Sequence, residues 1–240
     1  MMRYCTVPCS WPFTVVMSWL SMSPNKTTAA RAALLLPILF LIGHPSEIVF
    51  SIGIVGFFLF LVFDSVDGNL SRLQNRASYF GKYFDGFFDL LADLLFPLAL
   101  AVHLWPSHGV TVLLAGMQSA VAMAVIFILL LRLPLFTSML VAERGAEGIS
   151  ASRAAHPRLR AWLHDNPLGR VLMLVDAKAM IVIFDLRFIG FIIFAAFGWL
   201  TEFVVFLAVL YSFAMIVILI VRLLRGYVDL DLHRRSRSAA

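Results

Sequence analysis

Apolar residues gather into six stretches separated by short polar breaks: approximately Thr28–Gly43, Ser46–Phe63, Phe87–Trp105, Gly109–Leu131, Ala179–Leu200 and Phe203–Leu224. Each is near the length a helix needs to cross hydrocarbon, and none shows the period-two alternation of a half-buried strand. The first is short, and Pro37 near its middle predicts a kink held by neighbouring helices. Three connections are very short: Gly43-His44-Pro45-Ser46, Pro106-Ser107-His108 and the turn around Trp199–Glu202. None carries Lys or Arg. Of the 19 basic residues, Arg31 lies near the start of the first stretch, and the others fall in the N-terminal segment, the Arg72–Lys82 loop, the Arg132–Arg187 region or the C-terminal end. In a series of hairpins those four regions lie on one side, and the positive-inside rule makes that side cytoplasmic. The predicted fold is all-α, a polytopic membrane protein of six transmembrane helices with both termini inside.

Composition removes the soluble alternatives. Of 240 residues, 61% are hydrophobic and 14% charged, with a mean hydropathy of +0.92. Soluble domains carry about 25% charged residues, so polar surface is too scarce here to coat a water-soluble body. Residues 25–226 read as one six-helix domain, preceded by segment 1–24 and followed by a basic tail, 227–240. Within the first segment, Thr6–Met22 mixes Trp11, Phe13, Trp19 and Leu20 with Ser and Pro. That mixture predicts a short interfacial helix or a poorly ordered stretch, and a start at Met17 or Met22 is a further reading. Cys5 and Cys9 are the only cysteines, too few for a disulfide framework or a zinc site. The basic loops and tail face anionic lipid, with no nucleic acid implied.

The chemistry concentrates where the second and third stretches approach each other. FDSVDGNLSRLQNRASYFGKYFDGFFDLL places Asp64 three residues before Asp67, and Asp85 four before Asp89. On helices each pair points to one face. A carboxylate within hydrocarbon costs roughly 2.5 to 3.5 kcal/mol on insertion scales, so four in so short a run require neutralisation. Divalent cations are the natural candidates. The alternative is a salt-bridge cluster with Arg72, Arg76 and Lys82, which lie between the pairs. Asp93 is one turn further on: it either extends the cluster or bonds a neighbouring helix. Arg132 and Arg187 sit at the inner ends of the fourth and fifth stretches, where they flank an acceptor phosphate or snorkel to headgroups. Arg187 has a third reading, a local ion pair with Asp185.

Residue by residue the segment resembles the signature of the CDP-alcohol phosphotransferase family, D-x2-D-G-x2-A-R-x8-G-x3-D-x3-D. Asp64, Asp67, Gly68, Arg72, Gly81, Asp85 and Asp89 occupy the fixed positions, and Ser71 replaces the Ala. Asn25-Lys26-Thr27-Thr28-Ala29-Ala30-Arg31 is similar to the N-x2-T-x2-R with which such chains enter their first span. The resemblance implies an integral-membrane enzyme of phospholipid synthesis. It would transfer a phosphoalcohol group from a CDP-linked donor to a hydroxyl and release CMP. It further implies two divalent ions, Mg²⁺ or Mn²⁺, held by Asp64, Asp67, Asp85 and Asp89, with Asp89 also the general base. Two such ions about 3.5–4 Å apart clamp phosphates and stabilise the leaving oxygen. Asn25, Thr28, Arg31, Gly68, Ser71, Arg72 and Gly81 would line the nucleotide site. CDP-diacylglycerol with a small polar acceptor is the favoured pairing; a soluble CDP-aminoalcohol with diacylglycerol is the reverse one. Homodimers are common in the family. The site would face the cytoplasm, from the inner membrane if the cell is bacterial.

Two other classes compete. A UbiA-type prenyltransferase also binds diphosphate through Mg²⁺ and acidic helices, but on helices far apart in sequence. A transporter or channel would favour acids near mid-bilayer and an inverted repeat, and neither pattern is visible.

Overall fold

A computed structural model describes residues 2–74, 79–130 and 165–230, without the side chains of 2–7, 79, 80, 82, 168, 172–182, 184 and 222–230. Every regular element among them is an α-helix: α1 (Met2–Trp19), α2 (Pro24–Ile42), α3 (Glu47–Leu73), α4 (Tyr79–His108), α5 (Val110–Leu130), α6 (Pro167–Ala196) and α7 (Leu200–Leu230). Five of them, α2, α3, α4, α5 and α7, contain windows long and apolar enough to cross a bilayer. The remaining predicted span, Ala179–Leu200, falls on the second half of α6, helical to Ala196. The chain is an all-helical, polytopic membrane protein. Arg76, the Lys82 side chain, Arg132 and the tail from 231 lie outside the described residues.

The helices run past the apolar stretches that announce them. α2 begins at Pro24 because Ser23 caps it, its hydroxyl accepting from the Lys26 N–H at 3.4 Å, and Pro at the first helical position forfeits no hydrogen bond. The cap is therefore Ser23, and Asn25 and Thr28 lie inside the helix. α2 continues through Pro37 to Ile42. α3 extends ten residues beyond Phe63, to Leu73, and α4 starts eight before Phe87, at Tyr79. All four signature acids consequently sit within helices. Segment 2–19 is helical too, with Ser10 and Thr14 buried and Phe13 set 5.4 Å from the Phe63 ring of α3.

The chain divides into two compact units. The first, residues 1–121 and 184–209, contains all of α1–α4 and holds the acids. Here α2 packs on α3 and α4, and α1 on α3. Phe50, Gly53, Phe57 and Phe60 recur every three or four residues on α3 and form its buried stripe. Phe57 stacks on Phe96 of α4 at 4.5 Å, and Phe96 meets Phe191 of α6 edge-on at 5.7 Å. Outward go Leu34, Leu36, Phe40, Ile48, Ile52 and Val55, apolar side chains for which lipid is the fitting solvent. The second unit, residues 122–183 and 210–240, buries Met123, Ile126, Tyr211 and Ile218.

Among the described residues three short turns carry a left-handed residue: Gly109 (φ +75°) between α4 and α5, Gly198 (φ +72°) between α6 and α7, and Ser21 (φ +52°) between α1 and α2. Pro106-Ser107-His108, read as a connection, remains helical, so the α4–α5 turn is Gly109 alone.

Candidate active site

On α2 the inward face is apolar at Leu35, Ile38, Leu39 and Ile42, yet the same face carries Thr28 and Arg31 nearer the start of the helix. On α3 the inward stripe likewise passes from Phe57 and Phe60 to Asp67. Helical periodicity alone thus turns polar groups inward at one end of the first unit. Because α3 runs antiparallel in sequence order to α2 and α4, its last turns meet their first ones there.

Arg31 is the hub of this end. Its guanidinium bonds Asp64 through Nη1 and Asp89 through Nη2, and Nη1 lies 3.1 Å from Asp85 Oδ1 and 4.0 Å from Asp67 Oδ2. The Phe60 ring lies beneath it, 4.6 Å from guanidinium carbon to centroid. Thr28 Oγ1 is 2.8 Å from Asp67 Oδ2 and 3.1 Å from the Pro24 carbonyl; its single proton favours the carboxylate, the stronger acceptor. Arg31 is buried (1% side-chain exposure), whereas Asp64, Asp85 and Asp89 keep 38%, 30% and 39%. The base is thus sealed behind the acids; three of them open outward, and Asp67 is buried with it.

Asp64, Asp67 and Asp85 each offer an oxygen such that all three lie within 4.8 Å of one another. Asp89 is not in that triad and joins the cluster through Arg31. Formally, four carboxylates less one guanidinium leave three negative charges. Asp85 Oδ1 is buried and, apart from its ion pair with Arg31 Nη1 at 3.1 Å, accepts no hydrogen bond among the described residues, which leaves it lone-pair capacity for a cation. Hard oxygen donors, excess negative charge and an under-satisfied buried oxygen fit a divalent cation of the Mg²⁺ or Mn²⁺ type.

The other signature residues are distributed around this core. Among the described residues, a Cβ built on Gly68 would meet only Arg72 Nη2, at 3.8 Å, so this face is open to that extent. Gly53, a true packing glycine, contrasts with it, since a Cβ there would lie 2.6 Å from the Ile42 backbone nitrogen. Ser71 donates to the Gly68 carbonyl at 2.9 Å, and Arg72 donates to Asn69 Oδ1 at 2.7 Å. Asn25 occupies the first turn of α2, and Gly81 the first turn of α4. Among the described residues, every ion pair reaching the four acids comes from Arg31. Among the described residues the neutralising base thus arrives from α2; of the loop bases Arg72 bonds Asn69, while Arg76 and the Lys82 side chain lie outside them. The signal for it was present, because Arg31 is the single charge inside the first apolar stretch and a buried charge needs a partner.

Asp93 and Arg187 settle on each other. Both are buried, with Arg187 Nη1 bonded to Asp93 Oδ1, and this pair ties α4 to α6. Of the readings open for Asp93, the bond to a neighbouring helix holds.

A family model, CDP-alcohol phosphatidyltransferase, matches residues 21–221. No curated protein and no solved structure matches significantly. The chain belongs to the CDP-alcohol phosphatidyltransferase family and is a membrane-embedded transferase of substituted phosphate groups, acting in phospholipid synthesis.

Proposed function

We propose that this protein transfers a phosphatidyl group from CDP-diacylglycerol to a hydroxyl of a small polar acceptor, releasing CMP. The observation that carries the reading is the Asp64–Asp67–Asp85 triad, three carboxylates with oxygens within 4.8 Å, set beside the open face of Gly68. These three residues, with Asp89, would hold two divalent ions. When bound, the ions supply charge neutralisation for the donor pyrophosphate and for the leaving phosphate oxygen.

The chain's own groups account for the rest. Asp89, partly exposed and oriented by Arg31, takes the proton of the acceptor hydroxyl. The acceptor oxygen then forms a bond to the phosphorus bearing the diacylglycerol, and the bond from that phosphorus to the CMP oxygen breaks. CMP departs with the electron pair. Arg31 fixes the acids relative to one another from within the protein, so little rearrangement is needed during the reaction. Thr28 holds Asp67 in one rotamer. Asn25, Gly68, Ser71, Arg72 and Gly81 form the cytidine and pyrophosphate wall. The site faces the cytoplasm, from the inner membrane if the cell is bacterial, and the enzyme works as a homodimer.

Purified protein in detergent, with Mg²⁺ or Mn²⁺ and radiolabelled CDP-diacylglycerol, is offered a panel of small alcohols. CMP release dependent on one acceptor and on the metal is the outcome expected. Release from CDP-choline with diacylglycerol, but not from CDP-diacylglycerol, would reverse the assignment of donor and acceptor.

A further inference from the structure

Arg72 is the one signature cation that stands apart from the acids, at the exposed end of α3. A long side chain in that setting samples many rotamers unless something holds it. Here Asn69 does. Its Oδ1 accepts from Arg72 Nη2 at 2.7 Å, while its Nδ2 donates to Ser10 Oγ at 3.0 Å and approaches Thr14 Oγ1 at 3.5 Å. Thr14 gives its own proton to the Ser10 carbonyl at 2.8 Å, which leaves its oxygen as an acceptor. The amide can be oriented only one way. A guanidinium only donates, so the amide oxygen must face Arg72 and the amide nitrogen must face the two hydroxyls of α1.

The arrangement crosses from α1 to α3. Ser10 and Thr14 are both buried and lie one turn apart on the face of α1 turned toward α3. The opposite side of α1 is apolar and exposed at Trp11, Val15 and Trp19. A helix with its polar groups inward and its tryptophans outward has its energetic preference reversed relative to a soluble surface helix, and a lipid interface holds it in place. Asn69 is an unspecified position of the family signature, so the anchoring belongs to this chain's own sequence.

From this we infer that Asn69, braced by Ser10 and Thr14 of α1, is a positioning residue that holds the Arg72 guanidinium over the open face of Gly68 to receive the donor pyrophosphate. The inference rests on the proposed CDP-ester site. Its consequence is that α1, which bears none of the signature residues, contributes to donor affinity.

The test uses the full chain in detergent with Mg²⁺ and CDP-diacylglycerol. It compares wild type, Asn69→Ala, Ser10→Ala, Arg72→Ala and Asn69→Ala/Arg72→Ala by donor KM, kcat and thermal unfolding. Asn69→Ala raises donor KM about tenfold with a much smaller change in kcat, and Ser10→Ala raises it about threefold, as expected for lost binding in ground and transition states alike. In the Arg72→Ala background, Asn69→Ala adds nothing, because residues acting through one group are non-additive. An unchanged donor KM in Asn69→Ala overturns the inference, as does an equal further rise in the Arg72→Ala background. A folded wild type that neither binds nor turns over CDP-diacylglycerol overturns the proposed function itself, and the inference with it.

Discussion

The two ends of α2, α3 and α4 obey different rules, although the same three helices build both. At the apolar end the backbones close together. Gly53 allows α3 to meet α2 with no room for a methyl group, Phe57 stacks on Phe96, and Phe50 stacks on the His103 ring at 4.0 Å. At the polar end the glycine on the same helix faces space, and the inward positions are taken by Thr28, Arg31 and Asp67. One end is finished by packing. The other still carries formal negative charge that one buried guanidinium does not cancel. Helix association within a bilayer depends on close packing, so the apolar end supplies the rigidity and the polar end uses it to hold carboxylates in place.

The largest effect expected is on the acids. Asp67→Asn or Asp85→Asn removes one formal charge from the triad and lowers kcat by at least about a thousandfold, roughly 4 kcal/mol of transition-state stabilisation. CMP release from purified protein measures this, with detergent-stable insertion as the control. Normal turnover in either variant removes the basis for treating the polar end as a catalytic centre.

Next in size is the buried Asp93–Arg187 pair. Asp93→Asn removes the carboxylate bonded to the buried Arg187 guanidinium and costs about 3–5 kcal/mol of stability, read as a fall in thermal midpoint in detergent. Asp93→Asn/Arg187→Gln recovers much of that loss, because no isolated charge remains. If the double variant is no more stable than the single one, the pair does more than neutralise itself.

The glycines separate the two ends most finely. Gly53→Ala pushes a methyl against the α2 backbone and destabilises by about 1–3 kcal/mol, while the surviving folded fraction keeps its donor KM. Gly68→Ala meets only the end of a flexible arginine and gains up to about 1 kcal/mol of helix propensity. Its cost falls instead on donor KM, about threefold, because the added methyl occupies space proposed for the nucleotide. Equal behaviour of the two variants would erase the distinction between packing and binding glycines.

Much of this was legible in the sequence, for identifiable reasons. Hydropathy located the apolar stretches because lipid-facing side chains leave a continuous signal, and five of the corresponding helices have spanning length and composition. The acids were legible because their spacing matches helical periodicity. Helix ends were less so. Polar residues such as Asp64 and Lys82 end a hydropathy window without ending a helix, so α3 and α4 run two to three turns further than their apolar cores. Ser23, Asn25 and Thr28 are all capping types within six residues, so sequence alone does not single out Ser23 as the cap. The resemblance assigns Arg31 to the nucleotide site; its place among the acids depends on the tertiary meeting of α2, α3 and α4, which a sequence pattern does not carry. Asn69 gave no signal at all, since its partners Ser10 and Thr14 are more than 50 residues away.

The most direct test of the central claim is an anomalous difference map from crystals of the full chain grown with Mn²⁺ and CDP-diacylglycerol. Manganese peaks between Asp64, Asp67 and Asp85, next to an ordered cytidine diphosphate ester and missing in Asp85→Asn crystals, are the predicted result. An ordered nucleotide elsewhere in the molecule, with the carboxylates gathered around Arg31 and no manganese among them, would contradict it.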